Sequence, residues 1–415
     1  MDVAAWAYVD EDGHLVLPPG AQDQLGLKPG TQVRLVCEAN RAYLRRPVTQ
    51  LAKVYVEPTN QCNLACRTCL RNSWDEALGD MTETTFASIL EGLRNCSPRP
   101  LVFFGGLGEP LSHPGIVDMV SQVKAVGCRA ELITNATLLD ERTAHGLIAA
   151  GLDMLWVSLD GARPESYTDV RLGAALPEVL ANVLRFRAAR RPSHAPTPLI
   201  GVAFVAMKRN IADLPELLKL ANHLGATHFL VTNLLPYTPE MNDELLYAGV
   251  LNDIAYLPSP WVPHIELPKL DLDPVTRGPL YQALRQMWNV SLAGNNLGAA
   301  NDYCPFIEAG AIAIGWDGNA SPCLPLLHTH TSYLNRRVRR SRRYIIGNVT
   351  EQGLAAVWND ADHLAFRRRV QAFDFAPCTF CGGCELSESN ETDCCGTVFP
   401  SCGGCLWAQG VIRCP

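Results

Sequence analysis

The chain has 415 residues, a formal net charge of −7, sixteen cysteines, and 47% hydrophobic against 19% charged side chains. That is the composition of an ordinary globular protein with room for two or three domains, or for one barrel with additions. The acidic balance argues against a nucleic-acid binder, and no apolar run reaches the about 18 residues of a membrane span.

Residues 1–48 read as short strands and turns. Asp10-Glu11-Asp12-Gly13 is a turn, His14-Leu15-Val16-Leu17 a strand, Leu25-Gly26-Leu27-Lys28-Pro29-Gly30 another turn-rich stretch, and Gln32 to Cys37 and Ala42 to Leu44 are further strands. From 49 to 239 strands and helices alternate. Val54–Val56, Leu101–Phe104, Glu131–Ile133, Met154–Val157, Ile200–Ala206 and His228–Val231 are the strands; Thr82–Leu93, Ile116–Val126, Leu138–Ala150, Leu176–Ala189 and Leu214–Leu224 are helices. This order predicts an α/β fold with a parallel sheet, for which a curved, partial (β/α)6 barrel is one arrangement. Residues 240–300 form a connecting region kept irregular by Pro258, Pro260, Pro263, Pro268 and Pro274. Residues 301–415 hold a second cysteine field.

Sixteen cysteines call for disulfides or metal. Disulfides need an oxidising compartment, and the start, Met1-Asp2-Val3-Ala4-Ala5-Trp6, has no basic region followed by an apolar core. A cytoplasmic, metal-binding protein is therefore expected. Cys37, Cys96 and Cys128 stand alone and read as small buried hydrophobes. Cys62-Asn63-Leu64-Ala65-Cys66-Arg67-Thr68-Cys69 is a C-x3-C-x2-C loop placed directly after the first barrel strand, the end of a barrel where active sites are built. Three thiolates leave one iron of a [4Fe–4S] cluster open, as a substrate-binding cluster needs. Zinc is the competing reading, but a structural zinc wants four ligands and no histidine lies in this loop.

With that spacing the chain resembles the radical S-adenosylmethionine superfamily, and its other motifs follow in register. Gly105-Gly106-Leu107-Gly108-Glu109-Pro110 follows the second strand, Thr134-Asn135-Ala136-Thr137 the third, and Ser158-Leu159-Asp160-Gly161 with Tyr167 and Arg171 the fourth. The resemblance implies that Cys62, Cys66 and Cys69 hold the catalytic [4Fe–4S] cluster. It implies that Gly105, Gly106 and Glu109 meet the methionine amino group of S-adenosylmethionine. Asn135, Ser158, Asp160 and Arg171 would serve the ribose and the methionine carboxylate. Two positions depart from the family pattern. Thr68 stands where an aromatic residue often covers the adenine, and Ala136 where glycine is usual. Val202 and Val205 are the candidate replacements for the adenine contact. The implied chemistry is reductive cleavage of S-adenosylmethionine to methionine and a 5′-deoxyadenosyl radical, with an electron donor such as ferredoxin or flavodoxin.

Cys304, Gly318 and Cys323 are followed by Cys378, Cys381, Cys384, Cys394, Cys395, Cys402, Cys405 and Cys414. The field resembles the SPASM extension, which implies one or two auxiliary [4Fe–4S] clusters. Cys304, Cys323, Cys378, Cys381, Cys402, Cys405 and Cys414 are the first candidate ligands and Cys384 the next; a pair of zinc ribbons is the alternative. His328 and His330 read as loop residues. The basic run Arg336, Arg337, Arg339, Arg340, Arg342, Arg343 reads as a solvated loop, or as a docking site for an acidic partner.

Over nearly its whole length the chain resembles the radical maturases of tungsten-containing aldehyde oxidoreductases, with an AbrB-like, swapped-hairpin start at residues 1–48. "FFGGLGEPLSHP", "AFVAMKRNIADLP", "NLLPYTPEM" and "CGGCLWAQGVIRCP" carry the likeness. It implies action on the tungsten–pterin cofactor or on the enzyme that carries it. A peptide maturase forming thioether or carbon–carbon crosslinks is the alternative. A DNA-binding regulator is the remote one, since residues 1–47 hold six acidic and five basic side chains without a basic stripe.

Overall fold

The computed structural model describes residues 7–38, 41–190, 197–247, 264–271, 273–284, 289–292, 295–296, 303–334, 337–376, 378–379 and 384–415. Two small hairpins come first. β1 (Tyr8–Val9) pairs with β2 (Leu15–Val16). The turn between them closes because the Asp10 carboxylate accepts the N–H groups of Asp12 and His14. Helix α1 (Pro19–Gln24) leads to the pair β3 (Leu35–Glu38) and β4 (Arg41–Leu44). Cys37 is exposed, not buried as expected, because among the described residues nothing packs over this face of β3, where Leu35 is exposed too; Cys96 is half-buried and Cys128 buried.

The next six strands are parallel and hydrogen-bonded in sequence order: β5 (Lys53–Val56), β6 (Leu101–Phe104), β7 (Arg129–Thr134), β8 (Met154–Ser158), β9 (Leu199–Ala206) and β10 (His228–Asn233). Between them run α2 (Glu83–Arg94), α3 (Ile116–Ala125), α4 (Glu141–Ala149), α5 (Pro164–Val170), α6 (Leu176–Arg190) and α7 (Leu214–His223). Thr82 caps α2 by accepting the Thr85 N–H at 3.1 Å, and Asp140 caps α4 by accepting that of Thr143 at 2.7 Å. The α4 cap explains why the helix starts at Glu141 and not at Leu138.

Alternate strand residues divide between two cores. Val54, Val102, Leu132, Leu155, Val202 and Phe204 pack into the larger cluster with the helices. Tyr55, Phe103, Met154 and Trp156 face the other side, where Phe306, Cys323, Leu326 and Leu327 meet them. The C-terminal part therefore fills the inner face of the sheet.

The connecting region carries β11 (His264–Leu267), α8 (Arg277–Leu284), β12 (Asn289–Leu292) and β13 (Asn295–Asn296), with the three strands in one sheet. It is more regular than its prolines suggested; Pro258, Pro260 and Pro263 lie outside the described residues. After α9 (Pro305–Glu308), strand β14 (Ala311–Ile314) pairs parallel to β5, and β15 (Asn319–Ser321) continues the sheet. A hairpin of β16 (His330–Leu334) and β17 (Arg337–Ser341) follows. Then β18 (Gly347–Asn348) completes a nine-stranded sheet. Helices α10 (Val349–Gln352), α11 (Leu354–Asn359) and α12 (Ala361–Ala372) come next. By pairing with β5, β14 covers an edge that the six-strand sheet would leave open.

The segment before β5 is tied to this C-terminal part. Arg45 meets Glu308 at 2.7 Å, and Val48 and Thr49 offer carbonyls to Arg367 and Trp358, each at 2.8 Å. Among the described residues no helix is long and apolar enough to cross a membrane.

Candidate active site and metal centres

The loop after β5 is held from both sides. Asn60 donates to the Ala77 carbonyl and accepts the Gly79 N–H, both at 2.8 Å. The N–H groups of Ala65 and Arg67 donate to the carbonyls of Leu172 and Val170. Leu64 and Leu70, each side of Cys66 and Cys69, are buried. Burial pushes the Cys69 thiol up to about 11, and the Cys66 and Cys62 sulfurs add to the effect. Such thiols are inert by themselves; a metal removes their protons outright. Among the described residues no three His, Cys, Asp or Glu groups converge on a single ion. The three-sulfur set after β5 fits an open cluster better than a closed zinc site.

The glycine loop after β6 lies against this loop. A Cβ on Gly108 would sit 2.1 Å from the Thr59 carbonyl oxygen, and one on Gly106, at φ +142°, would sit 2.5 Å from Glu57 Oε2. Gly108→Ala must therefore move the cysteine loop. The expected loss is about 1–3 kcal/mol of stability with reduced iron retention, read by thermal unfolding and iron analysis of the reconstituted protein.

Glu109 has a role absent from the sequence reading. Its carboxylate accepts the Thr134 hydroxyl at 2.6 Å and the N–H groups of Asn135 and Leu111 at 2.8 and 3.0 Å. Burial raises its pKa, against those donors. Glu109 thus fastens the second loop to the third. Asn135 continues the chain of contacts: its amide donates to Asn63 at 3.0 Å, and Asn63 donates to the Thr137 hydroxyl at 2.7 Å. Ala136 takes φ +60°, the left-handed conformation for which glycine is the usual choice.

The fourth loop centres on Asp160, whose side chain is fully buried. It meets Arg171 Nε at 2.6 Å and accepts the Val205 N–H at 2.9 Å. The other arm of Arg171 reaches Cys66 Sγ at 3.9 Å. The Tyr167 hydroxyl, buried beside this pair, has no hydrogen-bond partner among the described residues. Ser158 is half-buried at the end of β8. The four loops thus bring Cys62, Cys66, Cys69, Gly106, Glu109, Asn135, Asp160 and Arg171 to one end of the sheet. A polar ligand would satisfy the orphan hydroxyl. Val202 is corrected: it is fully buried in the core shared with the helices, so it cannot reach an adenine. Val205, on the other parity of β9, packs with Val170, Met207, Leu234 and Met241.

A second thiol set lies in the C-terminal part. Cys304, Cys323, Cys402 and Cys405 line one cavity of about 70 Å³ whose wall is largely apolar. Burial pushes the Cys304 thiol up to about 12, with Cys405 adding to it. Four sulfurs around one space fit a fully ligated cluster. Cys414 accepts from Trp407 Nε1 at 3.3 Å, close to Cys405. Cys378 is half-buried, Cys384, Cys394 and Cys395 are exposed, and Cys381 lies outside the described residues.

His328 lies in a loop, as expected, whereas His330 lies on a strand; both are held by specific partners. His328 is buried between two carboxylates, with Nε2 at 2.9 Å from Glu57 Oε1 and Nδ1 bonded to Glu76. His330, the first residue of β16, is buried and hydrogen-bonded to the His328 carbonyl. The arginine run is not a solvated loop but strand β17 and its flank. Arg337 pairs with Glu388 and Arg342 with Glu391, while Arg339 turns inward to the cavity of the four cysteines. Arg336 lies outside the described residues. Residues fixed by contacts this distant leave no local sequence signal.

The family model for the radical SAM superfamily matches residues 56–221, and that for the SPASM iron–sulfur cluster-binding domain matches residues 304–385. The chain is 32% identical over 368 residues to the tungsten-containing aldehyde ferredoxin oxidoreductase cofactor-modifying protein of Pyrococcus furiosus, covering 87% of this chain and 96% of that one. It is 30% identical over 183 residues to a PqqA peptide cyclase of Gluconobacter oxydans, covering 43% of this chain and 47% of the cyclase. Among solved structures, Streptococcus suis SuiB bound to S-adenosylmethionine shares the fold. The TM-score is 0.51 at 15% identity, over 80% of this chain and 71% of that one.

Proposed function

Because the chain belongs to the radical S-adenosylmethionine enzymes that carry a SPASM iron–sulfur domain, we propose that it matures the tungsten–pterin cofactor of an aldehyde oxidoreductase, or the enzyme that holds it. The observation that carries this reading is likeness over 96% of the length of the Pyrococcus cofactor-modifying protein. A shared barrel alone would give likeness over the barrel only.

In this reading Cys62, Cys66 and Cys69 hold the [4Fe–4S] cluster, and Cys304, Cys323, Cys402 and Cys405 hold an auxiliary one. When bound, the first cluster and S-adenosylmethionine supply reductive cleavage to a 5′-deoxyadenosyl radical. The protein's share is positioning. Gly106 and Gly108 let main chain approach the cosubstrate, Glu109 and Asn135 lock three loops together, and the Asp160–Arg171 pair presents a fixed cation beside Cys66. Tyr167 offers a buried hydroxyl donor. The electron donor is a small redox protein of the ferredoxin or flavodoxin kind.

The test is a tungsten aldehyde oxidoreductase produced with this protein, without it, and with its Cys66→Ala variant. A change in the mass of the extracted pterin, or in oxidoreductase activity, that requires Cys66 is the expected result. Unchanged pterin and activity, with S-adenosylmethionine cleavage intact, would refute it and favour the second reading. That reading, a peptide-modifying maturase, draws on the likeness to the peptide cyclase, which covers less than half of either chain.

A further inference from the structure

Among the described residues of the arginine run, Arg339 is the one that turns into the protein. It sits on β17, and its side chain lines the cavity of Cys304, Cys323, Cys402 and Cys405. Nη1 donates to the Ser387 carbonyl at 2.9 Å. Among the described residues no carboxylate reaches it; the groups that would offset its charge are the sulfurs of Cys405, Cys378 and Cys402, which become anionic when they ligate a metal. Its neighbour His330 is held neutral, burial pushing that imidazole down to about 4. A buried guanidinium without a counter-charge is costly.

The backbone is shaped for it. Cys402 and Cys405 are separated by two glycines. A Cβ on Gly403 would sit 1.7 Å from the Ala376 carbonyl oxygen, and one on Gly404 would sit 2.0 Å from Arg339 Nη1. Gly404 is therefore the residue that lets the guanidinium come up against the Cys402–Cys405 turn. Arg369 also acts on Cys402, but it is turned toward the Pro400 carbonyl and the rings of Phe366 and Phe375.

We infer that Arg339 is the built-in counter-ion of the auxiliary cluster held by Cys304, Cys323, Cys402 and Cys405, and that it sets the potential of that cluster. A thiolate-ligated cluster is anionic, and one-electron reduction adds one more negative charge. A fixed cation at the sulfurs stabilises the reduced form more than the oxidised form and raises the potential. Arg339 acts here through the cluster as a positioning charge and touches no substrate. The inference rests on the auxiliary-cluster reading given above.

The experiment uses the full chain carrying Cys62→Ala, Cys66→Ala and Cys69→Ala, so that only C-terminal clusters contribute. Iron and sulfide are counted after anaerobic reconstitution, and the reduced fraction is followed by EPR against applied potential. The signal of interest is the one lost on adding Cys323→Ala. Arg339→Gln is expected to lower the ratio of reduced to oxidised cluster at fixed potential at least tenfold, which is about 59 mV for one electron. Arg339→Lys, which keeps the charge, should stay within about threefold of the parent. Loss of iron in Arg339→Gln but not in Arg339→Lys would also support the counter-ion role. Equal potentials in all three proteins, or equal loss of iron from both variants, would overturn it. A parent that holds no iron would instead refute the auxiliary-cluster reading itself.

Discussion

Asp160→Ala is expected to cost about 3–5 kcal/mol of stability, the range for breaking a buried ion pair from one side, and to abolish cleavage of S-adenosylmethionine. The Asp160 carboxylate is fully buried and holds Arg171 Nε at 2.6 Å. It also accepts the Val205 N–H at 2.9 Å. Removing it leaves a guanidinium without counter-charge and an N–H without acceptor. Burial disfavours the Arg171 charge, and the groups around it, Asp160 foremost and Cys66 next, together outweigh burial. Without Asp160 that cation must leave the site, and its arm at 3.9 Å from Cys66 goes with it. Asp160→Asn can keep the Val205 contact and should cost less. The pair Asp160→Ala with Arg171→Met should recover part of the stability but no cleavage, because the stranded charge is gone while the positioning is not restored. Denaturant midpoints at constant slope and 5′-deoxyadenosine release measure the two effects separately. If the double variant is less stable than Asp160→Ala, the stranded-charge account fails.

Much of this site is readable from sequence because it is assembled from loops that each follow a strand. The strand–helix alternation locates the strand ends, and each motif lies within a few residues of one: Cys62 after β5, Gly105 after β6, Asn135 after β7, Ser158 at the end of β8. The unread part depends on distant pairing. β14 joins β5 across more than two hundred residues, and nothing local to either strand announces the partner. The error at Val202 has a different cause. Leu199–Ala206 is apolar on both faces because both are covered, as usual for a parallel strand. Without alternation the sequence cannot tell Val202 from Val205. The burial of Arg339 and His328 goes unread for the same reason as β14: nothing local in a charge run or beside a lone histidine announces the distant segment that buries it.

His328 carries the second large expected effect, a loss of stability between about pH 6.5 and 9 that depends on this one residue. Burial alone would lower its pKa from 6.5, but the hydrogen bonds to Glu57 and Glu76 outweigh burial and raise it to about 9. Burial would also raise the Glu76 carboxyl, but His328, the Thr329 N–H and Arg343 together outweigh it and hold the carboxyl below its usual range. The other groups around the imidazole are the edge of Trp74, Arg343 beside Glu76, and His330. Because the folded pKa lies above the unfolded one, the folded chain binds the proton more tightly. The contribution, on the order of 3 kcal/mol, is complete below pH 6.5 and vanishes as pH rises through 9. The same imidazole is linked to the glycine loop after β6, proposed above to meet S-adenosylmethionine, because Glu57 Oε2 accepts the Leu107 N–H at 2.9 Å. Wild-type protein should therefore lose both unfolding free energy and affinity for S-adenosylmethionine over that window. His328→Leu should start lower on both counts, with two carboxylates left facing an apolar side chain, and should lack that decline. Unfolding and equilibrium binding of S-adenosylmethionine from about pH 6 to 10 decide the matter. Parallel profiles for the two proteins would mean that His328 does not hold its proton between Glu57 and Glu76.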